Sequence, residues 1–198
     1  MPDTIVDLLR HGEPRGGSMY RGNSIDDPLS DKGWQQMWQS VGEYSSWQQI
    51  ISSPMLRCKE FSELLAGKLS IPVHIENNFK EVGFGSWEGL TREQVKNNNL
   101  TEYNNFYSDP VNKRPLEAED LNSFIQRVTT SYNKIVHDFE NQNILIIAHA
   151  GVIRAILANT VQAPAMGMYN FKIDNACFSR INANSNNIIF TNQSLINK

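Results

Sequence analysis

Asn143-Ile144-Leu145-Ile146-Ile147-Ala148, continuing into His149-Ala150-Gly151-Val152-Ile153-Arg154, is the stretch that decides the fold. The first six residues are the most apolar strand-like run in the chain. An unbroken run of this kind marks a central parallel strand covered on both faces. A helix follows from Val152, so this is a strand–helix unit.

The same unit recurs on either side. Ile5-Val6-Asp7-Leu8-Leu9 reads as a short buried strand. A Gly-, Pro- and Asp-rich loop runs from Gly12 to about Pro28. Ser30 then fits a helix N-cap, with Trp34, Met37, Trp38 and Val41 at helical spacing behind it. Gln49–Ser52 is a second strand, and Pro54 suits the first turn of a helix carrying Leu56, Phe61, Leu64 and Leu65. Ile71–Ile75 is a third strand. Residues 78–118 are irregular, with short helices around Val95 and Tyr103–Tyr107. Leu121 to Val136 marks a long amphipathic helix. Strands are expected around Phe171–Ile173, Phe178–Ile181 and Ile188–Thr191. Alternating strands and helices predict a three-layer α/β/α fold with a largely parallel central sheet. The 198 residues fit one domain, 1–198, with the irregular helical insertion at about 78–118.

Composition narrows the function. A net charge of −3 argues against a nucleic-acid binder but leaves room for a small phosphorylated metabolite. No stretch approaches the roughly 18 apolar residues of a membrane span. The first residues lack the pattern of a signal peptide, so a cytoplasmic location is expected. Cys58 and Cys177 are too few for a disulfide framework and are expected as core thiols. The sequence does not fix the oligomeric state; a homodimer is one option.

Chemistry concentrates at strand ends. Arg10-His11-Gly12 follows the first strand, and His149-Ala150-Gly151 follows the central one. Ligands in open parallel sheets bind outside the carboxyl ends of strands. Gly12, Ala150 and Gly151 would let a ligand approach the backbone closely. Arg57 is placed in the first turn of a helix, where free N–H groups and a guanidinium fork both suit phosphate. Alternatively it pairs with Glu60 or Glu63 on the surface. Glu81 and Glu88, in the tight Glu81–Leu90 loop, each qualify as a proton donor or as a solvated surface carboxylate. There is no Gly-rich phosphate loop, no Gly-x-Ser-x-Gly elbow, and no zinc spacing among the histidines at 11, 74, 137 and 149. His74 and His137 are expected to be structural or exposed.

In chain order the segments Leu9-Arg10-His11-Gly12-Glu13, Asp27-Pro28-Leu29-Ser30 with Gly33, Ser52-Ser53-Pro54 with Leu56-Arg57, Glu81, Phe84-Gly85 and Trp87-Glu88-Gly89, Phe124 with Arg127-Val128, and Ala148–Arg154 resemble the histidine phosphatase superfamily, the phosphoglycerate mutase-like enzymes. The resemblance implies that His11 attacks phosphorus and carries the phosphoryl group. It implies that Glu81 protonates the leaving oxygen and then activates water. Arg10, Arg57 and His149 would hold the phosphate oxygens, with Ala150 beside them and no metal or other cofactor. Two arginines and a histidine can supply the charge neutralisation that phosphoryl transfer requires.

Two departures stand out. Many members carry asparagine six residues after the nucleophile, where this chain has Gly17; Arg21 is the nearest substitute. The usual Gly-Gly-Glu-Ser before the long helix reads Glu117-Ala118-Glu119-Asp120, of which Glu119 matches. The short chain and Phe84–Gly89 fit the small phosphatases, including those similar to α-ribazole phosphatase. This makes α-ribazole 5′-phosphate the most specific substrate expectation. A cofactor-dependent phosphoglycerate mutase is the runner-up, and a catalytically silent phosphate-binding module is the third reading.

Overall fold

A computed structural model describes residues 2–195. Six strands form one sheet: β1 (Ile5–Arg10), β2 (Gln49–Ser52), β3 (Val73–Ile75), β4 (Asn143–Ala148), β5 (Phe178–Asn182) and β6 (Asn187–Gln193). Their spatial order is β3-β2-β4-β1-β5-β6. β3, β2, β4 and β1 run parallel, while β5 and β6 add an antiparallel edge. β4 lies between β1 and β2, which is why its sequence is apolar on both faces.

Alternation along the strands separates two cores. Ile144, Ile146, Val6 and Leu8 face α5 (Leu121–Asp138) and α6 (Ala150–Thr160). Leu145, Ile147, Leu9 and Ile50 face α1 (Asp31–Val41) and α2 (Leu56–Leu69). The layers are therefore α/β/α. Asp7, buried on β1, accepts hydrogen bonds from Trp47 Nε1 (2.8 Å) and both Nε and Nη2 of Arg180 (2.7 and 2.8 Å), which removes the cost of its burial.

Several boundaries differ from the expectation. Phe171–Ile173 is not a strand. Its carbonyls are taken by arginines instead: Arg154 Nε donates to Phe171 O (2.9 Å) and Arg10 Nη1 to Ile173 O (2.7 Å). Pro54 precedes the helix, which begins at Leu56; Leu56 N donates to Asp26 Oδ1 (2.7 Å). β3 starts at Val73, after Pro72, which lacks an N–H for the ladder. Ser30 is the N-cap of α1, accepting from Gly33 N (3.0 Å). The insertion holds α3 (Arg92–Asn98) and α4 (Leu100–Ser108), with a capping box from Thr91 and Gln94.

Candidate active site

β1 and β4 are paired so that Arg10 lies opposite Ala148. This register brings the residues after both strands to one edge. The His11 and His149 rings stand edge to face with centroids 5.2 Å apart. His11 Nδ1 lies 2.7 Å from Gly12 O. A carbonyl can only accept, so Nδ1 carries the proton and Nε2 keeps its lone pair. Burial, together with the fields of Arg10 and Arg57, holds the His11 pKa well below its usual value. His11 is thus a neutral imidazole with a free basic nitrogen, which is what a nucleophile at phosphorus requires. Gly12 matters for a reason other than ligand approach. A Cβ there would stand 2.3 Å from the Gly33 carbonyl oxygen, so α1 could not pack against the loop.

His149 is completely buried. Its Nε2 lies 2.7 Å from Ser53 Oγ, and that oxygen also accepts from Met55 N (3.3 Å). A Ser53 hydroxyl that donates to Nε2 leaves the ring proton on Nδ1. Nδ1 is buried and has no hydrogen-bond partner. Arg10 Nε and Arg57 Nε are also buried without a partner. Three unmatched buried nitrogens, two of them guanidinium donors, are a costly arrangement unless an anion satisfies them. Arg57 is 1% exposed and makes no surface pair. Its Nη1 and Nη2 donate to Ile25 O (3.0 Å) and Gly22 O (3.4 Å), anchoring the loop before α1.

The two candidate acids separate. Glu81 lines the cavity, with its oxygens accepting from Val82 N (2.9 Å) and Gly151 N (3.1 Å). Glu88 is fully engaged, accepting from the amides of Asn23 (3.3 Å), Ser24 (3.1 Å) and Phe84 (2.8 Å) and from the Ser24 hydroxyl. Its role is to tie the 22–24 loop to the insertion. Behind Glu81, Arg127 binds Glu119 through Nε and Nη2 (2.7 and 2.9 Å) and donates to the Glu81 carbonyl (3.2 Å). Glu119 in turn accepts from Gly83 N (3.1 Å). This pair fixes the loop that carries Glu81.

These groups surround a cavity of about 430 Å³ lined by Arg10, His11, Arg21, Arg57, Glu81 and Arg154, among others. Gly17 also lines it. Arg21 stands on that side, its Nε held by Asp27 Oδ2 at 2.9 Å and its Nη2 by the Arg15 carbonyl. Ala150 is not in the lining; it begins α6 and packs against the core. His149 meets the His11 ring edge to face and is likewise absent from the lining.

Sequence reading gave no role to Ser53, to Arg154, or to Asn175, whose Nδ2 donates to the His11 carbonyl (3.0 Å). Ser53 had a signal, since it precedes a helix start that carries an arginine. Asn175 lies in a loop with none. Cys58 is a core thiol pushed up to about 12 by burial, and Cys177 lies just before β5. His74 and His137 are exposed. Among the described residues, no group of three or more His, Cys, Asp or Glu side chains is arranged to hold a metal, and no helix is long and apolar enough to cross a membrane.

The chain is similar to several known proteins. The chain is 26% identical over 181 residues to the adenosylcobalamin/alpha-ribazole phosphatase of Escherichia coli (strain K12), covering 89% of each. It is 29% identical over 182 residues to the uncharacterized phosphatase PhoE of Bacillus subtilis (strain 168), covering 90% of this chain and 88% of the other. The crystal structure of a putative alpha-ribazole-5′-P phosphatase from Escherichia coli superposes with a TM-score of 0.84 at 25% identity, over 96% of this chain and 97% of that one. A mycobacterial glucosyl-3-phosphoglycerate phosphatase shares the fold, with a TM-score of 0.85 at 20% identity, over 96% of this chain and 100% of that one. The model of the histidine phosphatase superfamily (branch 1) matches residues 6–194. The chain belongs to the histidine phosphatase superfamily, branch 1, and is a phosphatase of that family.

Proposed function

We propose that the chain hydrolyses a small phosphomonoester through a phosphohistidine on His11, and that α-ribazole 5′-phosphate is its substrate. The observation that carries the mechanism is the trio of unpartnered buried nitrogens, Arg10 Nε, Arg57 Nε and His149 Nδ1, on residues that share the cavity lining or a ring contact with His11. They supply fixed positive charge and N–H groups for the phosphoryl oxygens. His11 Nε2 forms the bond to phosphorus as the bond to the alcohol oxygen breaks. Glu81 gives that oxygen its proton. The Glu81 carboxylate then takes a proton from water, whose oxygen attacks phosphorus and releases inorganic phosphate, returning His11 neutral. The substrate assignment rests on the names of the Escherichia coli relatives.

The test is release of inorganic phosphate from α-ribazole 5′-phosphate and from p-nitrophenyl phosphate in the presence of EDTA, with trapping of an acid-labile phosphoenzyme. The expected result is turnover of both and no phosphoenzyme in His11→Ala. Loss of activity on chelation, restored by a divalent ion, would overturn the metal-free mechanism. Interconversion of 2- and 3-phosphoglycerate after priming with bisphosphoglycerate would assign a mutase instead.

A further inference from the structure

The turn before β5, residues 173–177, grips the backbone of Arg10 and His11. Cys177 O accepts from Arg10 N (3.2 Å), and Ala176 N is shared between the carbonyls of Arg10 (3.1 Å) and His11 (3.3 Å). Ile173 O takes Arg10 Nη1 (2.7 Å). Asn175 adds a side chain to this grip. Its Nδ2 donates to the His11 carbonyl at 3.0 Å, and the residue also lines the His11 cavity. The turn is itself tied down. Ala176 has a φ of 55°, which a non-glycine residue keeps only where its surroundings impose it. The Ser40 hydroxyl on α1 donates to the Ala176 carbonyl. Asn192 on β6 accepts from Asp174 N (2.6 Å) and donates to Asp174 Oδ2 (2.9 Å).

The His11 carbonyl matters to the ring of the same residue. Nδ1 is held by the next carbonyl along, Gly12 O, at 2.7 Å. Between those two carbonyls lie only the φ and ψ of Gly12, and glycine leaves both soft. The tilt of the His11–Gly12 peptide plane therefore decides where the Gly12 oxygen stands. Through that oxygen it decides how the ring is turned and which nitrogen keeps the proton. Ala176 N divides itself between two acceptors and lies farther from the His11 oxygen than Asn175 Nδ2 does. The shorter of the two restraints on that plane comes from Asn175.

We infer that Asn175 is a positioning residue for the nucleophile: by holding the His11 carbonyl, it fixes the peptide plane from which the His11 ring is aimed. This rests on the reading of His11 as the group that attacks phosphorus, and adds to it the side chain that keeps Nε2 in line.

The experiment reads kcat and KM on p-nitrophenyl phosphate and glycerol 3-phosphate, whose leaving groups differ in their need for a proton, together with the ring-nitrogen NMR signals of His11. Asn175→Ala should lower kcat by about 10-fold on both substrates alike, because the nucleophile is misaimed while the proton donor is untouched. KM should stay within about twofold, and the His11 signals should move toward a mixture of tautomers. Asn175→His carries an Nδ1–H as far from Cβ as the amide nitrogen, and should recover most of the loss. Asn175→Asp keeps the shape without the donor. It should lose at least as much kcat as Asn175→Ala, and it carries the test if the alanine variant does not fold. A natural kcat in either donor-less variant would overturn the inference. So would a loss confined to KM, or a loss that leaves the His11 signals unmoved. If the natural chain forms no phosphoenzyme on His11, the phosphatase reading itself fails and takes this inference with it.

Discussion

Gly151→Ala tests the proposed placement of Glu81 as proton donor. Gly151 lies in the first turn of α6, and its amide donates to Glu81 Oε2 at 3.1 Å. A Cβ at this position would stand 2.2 Å from Glu81 Oε1 and 3.2 Å from its Cδ. Ordinary contact begins near 3.4 Å, and the atom in the way ends a flexible side chain. The carboxylate must therefore retreat by about 1 Å, a displacement that can cost a catalytic group about 100-fold in rate. Fold stability should not suffer, because alanine is favoured over glycine inside a helix by roughly 0.5–1 kcal/mol.

The assay is kcat/KM on two substrates. Glycerol 3-phosphate has a poor leaving group that needs a proton, and p-nitrophenyl phosphate needs little. We expect about a 100-fold loss on the first and less than about 10-fold on the second, with an unchanged or higher Tm. Equal losses on both would move the acid away from Glu81. A change below about threefold on glycerol 3-phosphate would show that the Gly151 amide does not set the acid's position.

Three other perturbations separate roles within the site. Ser53→Ala removes the group that fixes the His149 tautomer, and should lower kcat/KM by about 10-fold or more and shift ring-nitrogen NMR signals toward a mixture of tautomers; unchanged signals would remove Ser53 from the assignment. Glu88→Gln should destabilise the fold by about 2 kcal/mol and speed proteolysis within 13–25, while leaving the dependence on leaving group intact; a new leaving-group dependence would give Glu88 a share in proton transfer. His11 and His149 are both held well below the ordinary 6.5, chiefly by burial. The unfolded chain therefore binds more protons than the folded one just below pH 6.5. Stability from these two groups is complete above that pH and is lost as pH falls through it. Urea midpoints between pH 7.5 and 5 should drop, and drop less in His11→Gln; a flat profile would contradict the buried, neutral state of the pair.

Much of the architecture is legible in the sequence, because burial on two faces leaves a direct trace in composition. Asn143–Ala148 reads as a central strand for that reason, and Ser30 reads as a cap because its oxygen must satisfy an amide of α1. Phe171–Ile173 misleads because its residue types are strand-like, while its carbonyls are spent on Arg10 and Arg154, far away in sequence. His11, Arg10 and Arg57 are legible as candidates because strand ends and helix starts are where such residues can meet an anion. The sequence by itself determined the fold class, the order of the motifs and the chemical types at the site. Only the tertiary structure put Glu81 in the cavity lining and Glu88 against the 22–24 loop, placed Ala150 outside the lining and set His149 against Ser53. Each of these depends on a partner brought in by the β1–β4 register or by loop packing, namely the Gly151 amide, the 22–24 loop and the Ser53 hydroxyl. A chain records which groups it carries; which of them remain unpaired after folding, and so free to act on a substrate, is settled by the neighbours that folding supplies.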